Sequence, residues 1–253
     1  MKSAVPLRIG CVKYLNARPL IHGWKGEVDF DNPAALCRKL ASAELDVALV
    51  SSFEFLRNPI YSMVDGVSIA SDGPVYSVVV AHCDDINAIK EIELDPASET
   101  SVNLLRGLLA ERGLNPRFIA GPEASSPDRA RLLIGDQAIR FRQEHSDFHF
   151  WDLGQAWKKH VDLPFVYAIW LIRPEVEDKK SVAHALRARR DENLVNLDQL
   201  IEEQNERDFC HRYYGEHLRF TFGQRERKGL QAFQSLCQKH GLLPKRELEF
   251  KLV

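Results

Sequence analysis

Residues 27–54, EVDFDNPAALCRKLASAELDVALVSSFE, decide the fold. EVDFD alternates polar and apolar side chains with period two, the pattern of a half-buried strand. Asn32 followed by Pro33 marks a helix start: the amide can accept from an orphaned N–H, and the fixed φ of proline suits the first helical position. Leu36 and Leu40 then share one helical face. DVALVS is apolar without interruption, as a strand covered on both sides requires. Ser51 to Glu54, SSFE, fits a capping box that opens a short helix. Strand, helix, strand and helix in this order imply parallel pairing with a right-handed crossover.

The same alternation extends outward. PLRIGCV (6–12) reads as a buried strand before this unit. YSVVVAH (76–82) and EIELDP (91–96) read as strands after it. Residues 98–113 form a helix with Val102, Leu105, Leu108 and Leu109 inward, stopped by Gly113. ARLLIGDQAIRFR is a strand, a turn and a helix capped by Asp136. FHFWDLGQAWKKH repeats that pattern, with a helix from about Gly154. LPFVYAIWLI (163–172) is the longest apolar strand, and after Pro174 the periodicity is helical. The expectation is an α/β protein of two lobes around a central ligand cleft. Residues 1–78 with 173–253 form the first lobe and 79–172 the second. The helical C-terminal tail packs on the first lobe, and strands 76–82 and 163–172 carry the chain across and back.

The bulk composition narrows the function. A net charge of -2 supplies no field that would draw the chain to nucleic acid or an anionic membrane. Cysteines stand at 11, 37, 83, 210 and 237, widely spaced and without a CxxC, which fits buried thiols in a reducing compartment. MKSAVPLRIG lacks the apolar core of a signal peptide, and no apolar run reaches membrane-spanning length, so the expected location is the cytoplasm. Arg187, Arg189 and Arg190, followed by Asp191 and Glu192, read as a solvated helix face.

In open α/β sheets ligands sit at the carboxyl ends of the strands. There this chain places Tyr14, Asn16 and Arg18, then Ser51, then Ser98, Thr100 and Ser101, then Gly135 and Asp136. Helix N-termini carry unpaired N–H groups and partial positive charge, which favour carboxylate or phosphate. Two lobes presenting such ends to one cleft suit a small molecule with two anionic groups, and Arg18 is the strong cation available for a bidentate pair. Serine and aspartate at helix starts are ordinarily caps, and Asn16 could cap the turn before Pro19. Repetition along one edge is what points to a ligand. No GxGxxG, Walker A, GxSxG or HExxH occurs, so neither a nucleotide cofactor nor a common serine hydrolase is expected. His145 and His149 are spaced like a metal pair but lack a third ligand. Cys210, His211 and His217 match no zinc spacing, so no metal is expected. Trp151, Trp157 and Trp170 belong to apolar faces and are assigned to the core. Glu54 and Glu99 lie in first helical turns, where acids are favoured anyway, and no carboxylate pair announces an acid–base couple.

KYLNARPL, SIASDGPVYSV, LDPASETSVNLLRGLL, LIGDQAI, WDLGQAWKKHVDLPFVYAIW and GLQAFQSLCQKHGLL occur in an order that resembles the chorismate dehydratases of the futalosine route to menaquinone. The resemblance covers nearly the whole chain, and YLNARPL and DLGQAW…LPFVYAIW are its specific blocks. It implies a type II periplasmic-binding-protein fold used as a cytoplasmic lyase without a cofactor. The implied reaction is loss of water from the dicarboxylate chorismate to give 3-[(1-carboxyvinyl)oxy]benzoate. By motif, Asn16 carries the catalysis, and Ser77 with Ser98, Thr100 and Ser101 binds carboxylate or hydroxyl groups. The resemblance also implies that a substrate carboxylate takes the proton. Tyr76 departs from relatives that show an arginine or an aliphatic residue, and SSFEF is looser than the usual version. Three other readings share the fold: a cytoplasmic organic-anion binding protein, a ligand-sensing regulator, and the sister dihydroxynaphthoate synthase. The regulator needs a DNA-binding motif that the early first strand leaves no room for, and the sister enzyme lacks YLNARPL.

Overall fold

Strands and helices alternate along most of the chain, as the periodicity requires. The computed structural model describes residues 6–95, 97–120, 129–202, 204 and 206–253. The first part holds β1 (Ile9–Cys11), a 3-10 turn (Leu15–Ala17), α1 (Arg18–Ile21), β2 (Val28–Phe30), α2 (Pro33–Ala41), β3 (Val47–Ser51), α3 (Ser52–Arg57) and β4 (Ser62–Ser71). Then come β5 (Val78–His82), β6 (Glu91–Leu94), α4 (Glu99–Glu111), β7 (Arg117–Ala120), β8 (Ala130–Ile134), α5 (Gly135–Glu144), β9 (His149–Asp152) and α6 (Leu153–Val161). β10 (Phe165–Ile172) precedes the tail of α7 (Lys179–Val195), α8 (Leu197–Glu202), α9 (Arg207–Arg212), a π-helical turn (Tyr213–His217) and α10 (Gln224–Lys239).

The strands form two five-stranded sheets, ordered β2-β1-β3-β10-β4 and β7-β6-β8-β5-β9. Each has a parallel half: β2, β1 and β3 in the first, β7, β6 and β8 in the second. β10 runs antiparallel to β3 and β4, and β5 antiparallel to β8 and β9. Residues 163–172, expected in the second lobe, instead supply a central strand of the first sheet. Seven of its eight strand residues are buried, so the apolar run takes an interior position, and the gap between β3 and β4 provides one.

Local signals held unevenly. Asn32 caps α2, its Oδ1 accepting from Ala35 N at 2.9 Å. The SSFE capping box does not form: Ser51 makes no side-chain cap bond, and Glu54 bonds Arg57. Asp136 does not cap α5; the cap position is Ile134, and Asp136 lies in the first turn. The basic run is not a solvated face either. Arg190 is buried and donates through Nη1 to Gly66 O (2.7 Å) and Phe220 O (2.6 Å), while Arg187 donates to Asp65 O and Val253 O. These bonds satisfy carbonyls where β4 is irregular and fasten α7 to it. One apolar cluster runs through both sheets and contains fully buried Trp157 and Trp170; Trp151 is half-buried against it. The cysteines are free thiols, with Cys83 half-buried and the rest buried. Among the described residues no helix is long and apolar enough to cross a membrane.

Candidate functional site

The carboxyl ends of β1 and β3 face the starts of α4 and α5 across a cavity of about 560 Å³, measured out to its open mouth. The first sheet contributes Tyr14, Asn16 and Ser51 to its lining, and the second side contributes Ser77, Ser98, Ser101 and Gly135. Apolar side chains such as Leu49, Ile69 and Ile134 fill most of the remaining wall. A concave, largely apolar site with a few placed polar groups is the usual form of a small-molecule pocket.

Three sequence-selected residues lie just behind this wall. Thr100 is buried; its Oγ1 pairs with Ser51 Oγ and accepts from Phe53 N at 3.1 Å. Asp136 accepts from Leu15 N at 2.8 Å, so it holds the turn that carries Asn16. Arg18 borders the neighbouring groove of Lys13, His22, Trp24 and Phe30. With its amide oxygen turned toward the guanidinium, Gln204 accepts from both terminal nitrogens of Arg18, at 3.1 and 3.2 Å. Asn16 lines the central cavity, while Arg18 borders this neighbouring groove instead.

The polar groups of the cavity are held by bonds within each side and across the cleft. Ser98 Oγ accepts from Ser101 N (3.3 Å) at the start of α4 and donates to Ser101 Oγ (2.8 Å). Gly135 N donates to Ser77 O at 2.8 Å. Gly135 has φ +56°, and a Cβ there would stand 3.0 Å from the Tyr14 ring. Tyr213 donates to Ser77 Oγ at 2.6 Å, and Tyr214 donates to Leu15 O at 2.9 Å. Asn16 lines the same wall as Ser77, and its Oδ1 is buried with no partner. Tyr76, the departure noted above, has φ +68°, donates from its N–H to Asp152 (2.8 Å) and packs its ring under Arg142, 4.2 Å from the centroid. It is absent from the cavity lining.

Electrostatically the wall is neutral. Burial pushes Tyr14 up to about 12, with Asp95 and Asp136 adding to the effect, and burial drives Tyr213 and Tyr167 well above the usual phenol range. Burial also raises Asp136. Among the described residues, the lining offers no carboxylate, imidazole or amine to serve as a base near neutral pH. Cys37, Glu54 and Glu99 converge elsewhere with metal-ligand proximity. Arg57 bonds both carboxylates, and burial pushes the thiol up to about 12, so this donor set suits an ion-pair cluster rather than a metal. Sequence reasoning missed Tyr213, Tyr214 and Tyr167. A phenol inside the apolar run FVYAIWLI, and the YY of CHRYYGEH, were the available signals.

Two mixed sheets with a ligand-sized cavity between them define the class: this is the fold of the periplasmic binding proteins. Protein AF1704 from Archaeoglobus fulgidus superposes with a TM-score of 0.73 at 18% identity, covering 94% of this chain and 98% of that one. The periplasmic aliphatic sulphonate binding protein SsuA from Escherichia coli superposes with 0.61 at 14% identity, covering 95% of each. A family model described as menaquinone biosynthesis matches residues 7–239. The chorismate dehydratase of Thermus thermophilus is 32% identical over 254 residues, covering 90% of this chain and 94% of that protein. The chain belongs to the menaquinone biosynthesis family.

Proposed function

We propose that this protein is a chorismate dehydratase, a lyase that removes water from chorismate to give 3-[(1-carboxyvinyl)oxy]benzoate. The relative from Thermus thermophilus bears that activity in its name. The observation that carries the reading here is the cavity lining: hydroxyls, a helix start and one amide, with no base among its described residues.

That lining matches what the reaction needs. The C–H bond at the ether-bearing ring carbon breaks, its electron pair becomes a ring double bond, and the neighbouring hydroxyl leaves as water. The product is aromatic, so the step is strongly downhill and the protein must chiefly orient the groups. In this reading Ser98 and Ser101 at the start of α4, with Ser51 and Ser77, bind the carboxylates; their position in the cavity lining and the positive end of the α4 dipole support it. With no protein base in the wall, a carboxylate of the substrate takes the proton. Asn16 borders the reacting edge and aligns the departing hydroxyl. The apolar remainder of the wall keeps bulk water away from the intermediate charge.

Incubation of the purified protein with chorismate, followed by mass spectrometry, tests this reading. A product lighter by one water is expected. Asn16→Ala should lower kcat by about 100-fold or more with affinity nearly unchanged. Near-normal turnover in that variant removes Asn16 from the mechanism, and binding of chorismate without turnover favours an organic-anion binding protein.

A further inference from the structure

The groove bordered by Arg18 adjoins the central cavity and holds about 940 Å³, measured out to its open mouth. Val12 and Tyr14 line both spaces, so the wall between them is one side chain thick at these residues. The Tyr14 ring reaches from the end of β1 to Gly135 at the start of α5. Three of its ring atoms stand 3.0 to 3.3 Å from where a Cβ would sit on that glycine. The ring is therefore the partition between cavity and groove.

The period of β2 decides what the groove presents. Val28 and Phe30 share one face of the strand and line the groove, while Asp29 lies on the other face. Lys39 of α2 holds Asp29 at 2.7 Å and Asp31 at 2.9 Å. Both acids are thus drawn toward α2, and among its described lining residues the groove contains no carboxylate. Its formally charged side chains are Lys13 and Arg18. The Lys13 ammonium stands 5.9 Å from the centroid of the Phe30 ring. Phe30 is 41% exposed, one of three large apolar side chains left so open among the described residues. Trp24 and Tyr14 bring two more aromatic rings to the same recess.

We propose that this groove is an outer binding site for aryl carboxylates, placed between the central cavity and solvent. The class includes the product of the dehydration proposed above, so the inference deepens that reading and rests on it for the natural ligand. Aromatic faces take a flat ring, and a cation beside them takes its carboxylate. The substrate ring still carries tetrahedral carbons and stacks less well than the aromatic product. The groove thereby favours the product, receiving it once it has passed Tyr14.

Benzoate, the simplest aryl carboxylate, is the probe. The Trp24 indole N–H, assigned in a 1H–15N spectrum by its loss in Trp24→Phe, should move on titration with benzoate and stay still with acetate at the same concentrations. Lys13 is exposed and absent from the cavity lining, and Lys13→Ala should raise the half-saturation about three- to fivefold. Benzoate should also inhibit chorismate turnover competitively, and Lys13→Ala should weaken that inhibition by the same factor. A Trp24 resonance that does not move, or that acetate moves equally, would overturn the proposal. So would a half-saturation or an inhibition constant that Lys13→Ala leaves unchanged. If wild-type protein leaves chorismate intact while benzoate moves Trp24 in a Lys13-dependent way, the dehydratase reading falls and the aryl-carboxylate site stands.

Discussion

Gly135 shows what one position asks of its residue. Its φ of +56° lies in the left-handed region, and Tyr14 stands where a side chain would go. Gly135→Ala should therefore cost about 1–2 kcal/mol in urea unfolding and weaken ligand binding as Tyr14 is displaced. A variant as stable as the parent would show that the turn relaxes freely. At this scale the sequence was legible wherever a residue's type dictates its role. Asn16, Ser77 and Ser98 were picked out and line the cavity. Arg18, Thr100 and Asp136 sit one step behind the wall, because a pattern of residue types does not say toward which side a tight turn aims each side chain. Tyr213 and Tyr214 could not be found by proximity in sequence, since they approach Leu15 and Asn16 from nearly 200 positions away.

α6 is an element whose start does two jobs. Asp152 caps it by accepting from Gln155 N at 3.0 Å, and the same carboxylate accepts from Val75 N (3.1 Å) and Tyr76 N (2.8 Å) in the segment joining β4 to β5. Asp152→Ala should destabilise the protein by roughly 2–3 kcal/mol, measured by urea unfolding, because three N–H groups lose a charged acceptor together. A loss no larger than that of an ordinary helix cap would mean that the joining segment does not depend on it. The strand β4 itself was not legible. Asp65 and Gly66, the latter with φ +78°, interrupt its alternation like a turn. The pairing with β10 passes directly from Ile169 opposite Ser68 to Leu171 opposite Met63, so the residues between bulge out of the ladder. The buried run of β10 was legible as a strand, yet its neighbours are set by which sheet has room for it.

Across the whole molecule, the lobes are joined by more than the chain. Arg57 in α3 pairs with Glu99 in α4, and Glu111 at the end of α4 pairs with Lys239 (2.6 Å) and His240 (2.5 Å) at the end of α10. His160 stands 4.0 Å from the same carboxylate. Lys239 first, then His240, holds Glu111 down at about 2, below its ordinary 4.5. A carboxyl group depressed on folding adds stability above its unfolded value and loses that stability as pH falls through its folded value. The difference in urea midpoint between the parent and Glu111→Gln should therefore be largest above pH 4.5 and close between pH 4.5 and 2. A difference that stays constant through that window would show that the ion pairs do not hold the lobes. Two βα units were readable from period alone; the antiparallel insertion of β10 was not, because periodicity reports burial and not the identity of a neighbour. That insertion has a temporal consequence. The second sheet possesses all its strands once residue 152 has left the ribosome, whereas β3 and β4 must wait for residues 165–172 to fill the gap between them. The half of the protein whose synthesis begins first is thus the last to be completed, and its two waiting edges are where a stalled or truncated chain would be most exposed to aggregation.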